Sequence, residues 1–422
     1  MNADPHVGRV LQVHTRYRQG GGEDQVVEAE RQLLEAAGVS VQQVIFHNAD
    51  LREGRSAAAD VRLAASAIWS RAAVRRVRHA IRAQQPDVMH VHNTFAAASP
   101  SVFTAADGLP VVHTLHNYRM VCPVATVFRD GHACTDCVGR AVPWPGVLHA
   151  CVHGSRAQSA VAAATVTLHR AVGTFRRHVG TYVALTAFQR GLMIEGGLPA
   201  DRIRVISNFL EPDPGAGERP RSGILYVGRL AEEKGIGVLL RASVLAGVQV
   251  RVAGTGPLKS AVEQAAATGD IVHEGSLEPS AVIGELRTAT ALVLPSIWFE
   301  GYPLAVVEAY ATGTPVIASR IGSLAEIVQD GVTGLLAEPH DADGLADRMR
   351  WATEHPTEMR QMGLSARRHY ETHLRGANHL DALMQAYRAA GARGSADRDD
   401  VELVAKPADD QVREAPSEDR QG

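Results

Sequence analysis

The stretch Ala291-Leu292-Val293-Leu294-Pro295-Ser296-Ile297-Trp298-Phe299-Glu300-Gly301-Tyr302-Pro303-Leu304-Ala305-Val306-Val307-Glu308-Ala309 decides how the chain reads. Ala291 to Leu294 is a continuous apolar run of strand length, as a strand buried on both faces would have. A helix opens after Gly301 and is expected to run to about Gly313. Pro303 sits at a first helical position, where no N–H partner is needed. The amides of such a helix start form an anion site, because orphan N–H groups and the helix dipole both favour negative charge. Glu300 lies in the loop and Glu308 inside the helix. A phosphate flanked by hydroxyl-rich groups suits this set: the amides take the phosphate and the carboxylates accept from hydroxyls. Taken alone, the stretch also fits an ordinary surface loop with a glutamate near a helix start.

Upstream, an expected strand at Gly223–Val227 leads into Gly228-Arg229-Leu230-Ala231-Glu232-Glu233-Lys234-Gly235. Arg229 and Lys234 flank a glycine-bounded strand-to-helix turn. A planar guanidinium fork and a point-charge ammonium beside a helix start make a phosphate clamp by chemistry. Only Lys234, Lys259 and Lys406 are lysines among 43 basic residues, which singles out Lys234. Ala253-Gly254-Thr255-Gly256-Pro257 is a second close-approach turn. Further strands are expected at Val248–Ala253, Ile271–Glu274, Ala291–Leu294 and Pro315–Ala318, with helices between. Asp341 to about Ala390 reads as three successive helices.

The first half repeats the theme. Arg9 to His14 reads as a buried strand. Gln19-Gly20-Gly21-Gly22-Glu23-Asp24 follows, then a helical pattern from Gln25 to Ala37. Strand, glycine loop and helix open a doubly wound α/β domain. The loop lacks the lysine of a P-loop and the spacing of a dinucleotide fingerprint, and a plain tight turn fits it too. Residues 39–46 are expected as the second strand and 181–186 and 202–206 as later ones. Residues 62–83 read as one helix with Arg71, Arg75, Arg78 and Arg82 in a stripe, either a solvated face or a surface for anionic lipid. Strands at 87–93 and 110–117 end in His92-Asn93 and His116-Asn117. Ligands of open α/β sheets sit at such carboxyl ends, so these residues are candidates to line a cleft.

All four cysteines fall in one segment rich in proline and glycine: Cys122, Cys134, Cys137 and Cys151. A Cys-x2-Cys centre with two outlying thiols suggests a structural zinc. Disulfides or four free thiols are the alternatives.

The domain reading is 1–208 with a Cys-rich insertion at 117–151, a linker at 209–220, a second α/β domain at 221–375, a helix at 376–391 that could cross back, and a disordered acidic tail at 392–422. No run of 18 apolar residues exists, so no membrane span is expected. Met1 to His6 has no apolar signal core. The expected address is the cytoplasm, with peripheral contact at the inner membrane face as an option. Residues 1–208 hold 22 Arg and no Lys against 15 Asp plus Glu, a balance of +7, which leaves −10 for the rest of a chain of net charge −3. A basic half implies an anionic partner such as a phospholipid surface, or charge complementarity between the two halves. Nothing points to nucleic acid.

Together, Gly228-Arg229-Leu230 with Lys234-Gly235, Gly254-Thr255-Gly256-Pro257 and Glu300-x7-Glu308 resemble the retaining glycosyltransferase family 4. The Gly-Gly-Glu-Asp loop, His90-Val91-His92-Asn93 and Leu115-His116-Asn117-Tyr118-Arg119 are similar to it as well. The resemblance covers about residues 8–390. It implies the GT-B fold, two Rossmann-like α/β domains facing across a cleft, and an enzyme moving sugar from a UDP-, GDP- or ADP-sugar to a glycan or lipid-linked acceptor in bacterial cell-envelope polysaccharide or glycolipid synthesis. Arg229 and Lys234 would hold the diphosphate. Glu308 would bind the ribose, Glu300 the transferred sugar, and the amides of Gly301, Tyr302, Pro303 and Leu304 its hydroxyls or phosphate. Gly21, Gly22, Gly228 and Gly254 would approach the donor. His116 would sit near the reacting sugar, and His92, Asn93 and Asn117 on the acceptor side. No catalytic cofactor is implied. The rival readings are a nucleotide-sugar epimerase on the same fold and a non-catalytic sugar-nucleotide-binding protein.

Overall fold

The computed structural model describes residues 7–17, 20–50, 57–217 and 220–391. The expected acidic tail, Gln19 of the glycine loop and residues 218–219 of the linker lie outside the described residues. Two six-stranded sheets carry the fold, and every strand pair within them is parallel.

The first sheet comprises β1 (Arg9–Arg16), β2 (Ser40–His47), β3 (Val88–Val91), β4 (Val111–Thr114), β5 (Thr181–Ala184) and β6 (Ile203–Val205), in the order β2-β1-β3-β4-β5-β6. The second comprises β7 (Ile224–Val227), β8 (Val250–Ala253), β9 (Ile271–Gly275), β10 (Ala291–Leu294), β11 (Val316–Ser319) and β12 (Gly334–Ala337), in the order β9-β8-β7-β10-β11-β12. Both orders are doubly wound. The direction of winding reverses between β1 and β3 in one sheet and between β7 and β10 in the other. Crevices open at those points. β3 and β10 are buried along their whole length, and β10 reads as an unbroken apolar run for that reason.

Three expectations needed correction. The single helix over 62–83 is two. The first ends at Ile68, and Ser70 Oγ caps the second, Arg71–Gln84, by accepting from the Ala73 amide (3.2 Å). Its arginine stripe is interrupted: Arg71, Arg75 and Arg82 are exposed, but Arg78 turns in to the Thr104 carbonyl (3.5 Å). Strand β12 is additional. A Cβ at its Gly334 would overlap the Val316 carbonyl oxygen and stand 2.9 Å from its carbon, so the close pairing with β11 needs glycine.

Helix α1 (Gly22–Ala36) follows β1, α2 (Ile236–Ala246) follows β7, and α3 (Leu304–Ala311) follows β10. The last helix, α4 (Gly376–Ala389), packs on the first sheet. Its Leu383, Ala386 and Tyr387 are buried with Val10, Val88, Val112 and Val183. Among the described residues, no helix is long and apolar enough to cross a membrane.

Candidate functional site

The crevice of the second sheet is built from two turns that touch. After β7, the backbones of Gly228 and Gly254 approach so closely that a Cβ on Gly254 would fall within 3.1 Å of the Gly228 carbonyl carbon. The chain then makes a short turn over Glu232–Lys234 and enters α2 through Gly235 in the left-handed region (φ 71°). The Ile297 amide, in the turn after β10, donates to the Glu233 carbonyl (3.0 Å) and ties the two turns together.

This brings Lys234 onto Glu300. Lys234 Nζ donates to both carboxylate oxygens, at 2.8 and 2.9 Å, and lies 5.1 Å from the Trp298 ring. Ser296 Oγ donates to the same carboxylate (2.6 Å). Burial alone would push the Glu300 carboxyl up. The Lys234 ammonium and the bond from Ser296 outweigh burial and hold it below the usual carboxylate range. Arg229, by contrast, pairs with Glu233 and keeps its side chain 54% exposed. The structure therefore does not join Arg229 to Lys234 in one clamp.

Helix α3 begins at Leu304, with Pro303 as its N-cap and not its first helical residue. The amide cradle expected over Gly301 to Leu304 has at most three donors, since Pro303 has no N–H. Tyr302 is buried in the core of the second domain, and its carbonyl accepts from Asn208 Nδ2 (2.7 Å). Its ring is not presented to the crevice. Glu308 is half-buried, and its carboxylate has no hydrogen bond or ion pair among the described residues. Burial pushes it up to about 7.

The first domain forms the opposite wall. A Cβ at Gly22 would lie 3.5 Å from Leu304 Cδ1, and one at Gly301 would lie 3.4 Å from the His116 carbonyl oxygen. Tyr118 Oη donates to the Glu300 carbonyl (2.9 Å). Gly22, His116, Glu300, Gly301 and Leu304 thus meet at one seam. Gly21 caps α1, and its amide donates to Asp24 (3.1 Å). Beyond the seam, the amides of Ala187 and Phe188 donate to the Glu326 carboxylate (2.8 and 2.7 Å).

His116 is half-buried, and burial pulls its imidazole down to about 3, so it is neutral near pH 7. Its Nε2 lies 3.0 Å from His92 Nδ1. His92 and Asn93 are buried, 2% and 4% exposed, and sit behind the wall. Asn93 Nδ2 already donates to the Thr15 carbonyl (3.0 Å) and to Glu23 (2.9 Å). Both also line a cavity of the first domain with His116 and Asn117. Asn117 stays half-buried, with Nδ2 3.5 Å from Tyr17 Oη. Two wall residues were not among the sequence candidates. One is Tyr118, whose reach across the cleft no spacing reveals. The other is Glu23, beside Asn93 and Asn117, which burial and then Asp24 push up to about 7. Its signal was the Gly-Gly-Glu-Asp loop itself.

The four cysteines line one small cavity with Pro123, Val124, Phe128, Arg129 and Gly146. The Ala125 amide donates to the Cys122 carbonyl (3.0 Å). The thiols are free, and no three of their sulfurs lie within 4.8 Å of one another.

Residues 19–214 match the family model Glycosyltransferase Family 4, and residues 217–369 match Glycosyl transferases group 1. The chain is 29% identical over 324 residues to the glycogen synthase of Mycobacterium tuberculosis, covering 73% of this chain and 70% of that protein. It is 34% identical over 188 residues to the D-inositol 3-phosphate glycosyltransferase of Thermobifida fusca, covering 40% of this chain and 42% of that one. Its fold is similar to that of HepE from Anabaena in complex with UDP (TM-score 0.61, 15% identity), covering 90% of this chain and 99% of that one.

Proposed function

We propose that this chain, a glycosyltransferase of the GT-B fold, is a retaining family 4 enzyme that moves a sugar from a nucleoside diphosphate sugar to a glycan or lipid-linked acceptor of the cell envelope. The observation that carries this reading is the Lys234–Glu300 contact at the second sheet's crevice, faced by His116 from the other domain. Lys234 stabilises the negative charge that gathers on the departing diphosphate. Arg229 joins it by leaving Glu233. Glu300 accepts from hydroxyls of the transferred sugar, and Glu308 from the ribose. The anomeric carbon–diphosphate bond breaks and the bond to the acceptor oxygen forms on the same face. The acceptor proton passes to the leaving phosphate oxygen, so no protein base is needed. HepE, solved with UDP, supports the donor class. No relative named above is an epimerase, and that alternative has no support.

A thermal-shift screen against UDP-, GDP- and ADP-sugars tests the reading, because stabilisation follows occupancy. No stabilisation by any of them would sink it. Glu308 adds a pH signature. Its carboxyl is raised in the free protein, so stability is lost as pH rises from its unfolded value through about 7. Ribose hydroxyls favour the ionised form, so nucleotide binding expels the proton. Affinity for the nucleotide therefore tightens as pH rises through about 7 and then levels. Titration calorimetry in two buffers measures the proton release. Glu308→Gln abolishes it; an unchanged release in the variant removes Glu308 from the ribose site.

The cysteine cavity is proposed as a structural zinc site. Four thiols lining one cavity suit a metal that staples a loop with little core of its own. Elemental analysis is expected to give about one zinc per chain. Metal-free protein with four titratable thiols discards the assignment.

A further inference from the structure

Behind His116 the first domain holds a buried file of imidazoles that ends on a carboxylate. Glu30, on α1, is 1% exposed. Its Oε1 accepts a hydrogen bond from His379 Nε2 (3.0 Å), on α4. Its Oε2 has no hydrogen-bond partner among the described residues and lies 3.5 Å from His92 Nε2, which has none either. His92 Nδ1 lies 3.0 Å from His116 Nε2, and the two rings stack at 5.3 Å. Two buried, unpartnered atoms that face each other just outside hydrogen-bond range are one small rotation from pairing.

The donor directions along this file are then fixed. An ionised Glu30 only accepts, so His92 carries its proton on Nε2 and keeps a lone pair on Nδ1. His116 must donate to that lone pair from Nε2, which leaves its own Nδ1 bare. We propose that Glu30, acting through His92, is a positioning residue that fixes His116 in the Nε2–H tautomer, so that the cleft is offered an acceptor for a sugar hydroxyl. The functional consequence rests on the reading of the cleft as a sugar site; the tautomer does not.

Helix α4 completes the device. It supplies His379 to Glu30, and Tyr387 Oη to His90 Nδ1 (2.9 Å). Burial penalises the Glu30 charge, and the hydrogen bond from His379 opposes that penalty. A cation is the rival occupant. Glu30, His90 and His92 offer ligand atoms within 4.8 Å of one another, the one such group among the described residues. Yet His90 has both nitrogens engaged, Nδ1 with Tyr387 and Nε2 with Thr114 Oγ1 (2.8 Å). The hydrogen-bonded file leaves both bonds of His90 in place, while its Nδ1 also stands 3.6 Å from Glu30 Oε2.

The test uses full-length protein with isotope-labelled histidine and reads ring-nitrogen chemical shifts, with and without UDP. His116→Gln identifies the His116 signals by their loss. Wild type is expected to show His116 as Nε2–H. Glu30→Gln is nearly isosteric and turns an N–H donor toward His92 Nε2, so both tautomers reverse and His116 becomes Nδ1–H. His116 found as Nδ1–H or doubly protonated in wild type overturns the proposal, as does the same tautomer in both proteins. His92 lacking a proton on Nε2 in wild type, as a bound cation would require, also overturns it. If Glu30→Gln fails to fold, its melting curve shows this and the wild-type assignment decides alone. Wild type that binds no nucleoside diphosphate would sink the proposed function and leave the tautomer result standing.

Discussion

Lys234→Ala lowers sugar transfer by about 10²–10³-fold, the loss seen when one preorganised group is removed from a developing negative charge. It also weakens nucleoside diphosphate binding and destabilises the free protein. The last effect follows from the partner it leaves behind. Glu300 is 7% exposed at its side chain and would keep the Ser296 hydroxyl as its side-chain donor. Removing one member of a buried pair costs about 3–5 kcal/mol. This pair belongs at the low end of that range, since 23% of the Lys234 side chain still meets solvent. Lys234→Arg keeps the charge and can pair with the carboxylate through its fork, but the larger guanidinium must fit where a compact ammonium sits, so it rescues stability more than transfer. The double variant Lys234→Ala/Glu300→Gln separates the two roles: it regains stability but not transfer. Wild-type UDP affinity and transfer in Lys234→Ala would remove this lysine from the site.

The fold was legible because its signals are local. Ala291 to Leu294 reads as a buried strand from four residues, and the turn after each strand announces itself with Gly228 or Gly254. Lys234 and Glu300 were legible for the same reason: each lies a few residues past a strand end, and strand ends converge in a doubly wound sheet. What failed was either ambiguous locally or tertiary. Pro303 suits an N-cap as well as a first helical position, and only its observed extended backbone (ψ 125°) decides. Ser70 looked like one more helical residue until it capped a new helix. His92 and Asn93 stand at a strand end as expected, but burial depth is set by what packs over them, here Glu30 and Glu23 of α1. Glu30 reads as a surface glutamate of an amphipathic helix. Only the arrival of His379, 349 residues later, makes it a buried partner.

Gly235→Ala is expected to do more structural damage than Lys234→Ala, although it removes no functional group. Gly235 has φ 71°, which an L side chain adopts only at a cost of about 1–3 kcal/mol. Space is the second obstacle. A Cβ there would overlap the Pro295 carbonyl oxygen and stand 2.7 Å from its carbon. Pro295 ends the run from β10, so the two turns cannot separate without stretching the bond from the Ile297 amide to the Glu233 carbonyl (3.0 Å). Strain and displaced packing together should exceed about 3 kcal/mol, a magnitude reserved for backbone and core faults of this kind. That corresponds to a fall in melting temperature of about 6–12 °C for a domain of this size. The shift also carries Lys234 away from Glu300, so UDP stabilisation in a thermal-shift assay should shrink with the fold. Gly237→Ala is the control. It lies two residues further on in α2, with nothing within 4 Å of its Cβ position. Alanine there should be neutral or gain up to about 1 kcal/mol from helix propensity. If Gly235→Ala melts with wild type, the close contact of the two turns is not what sets the Lys234–Glu300 distance.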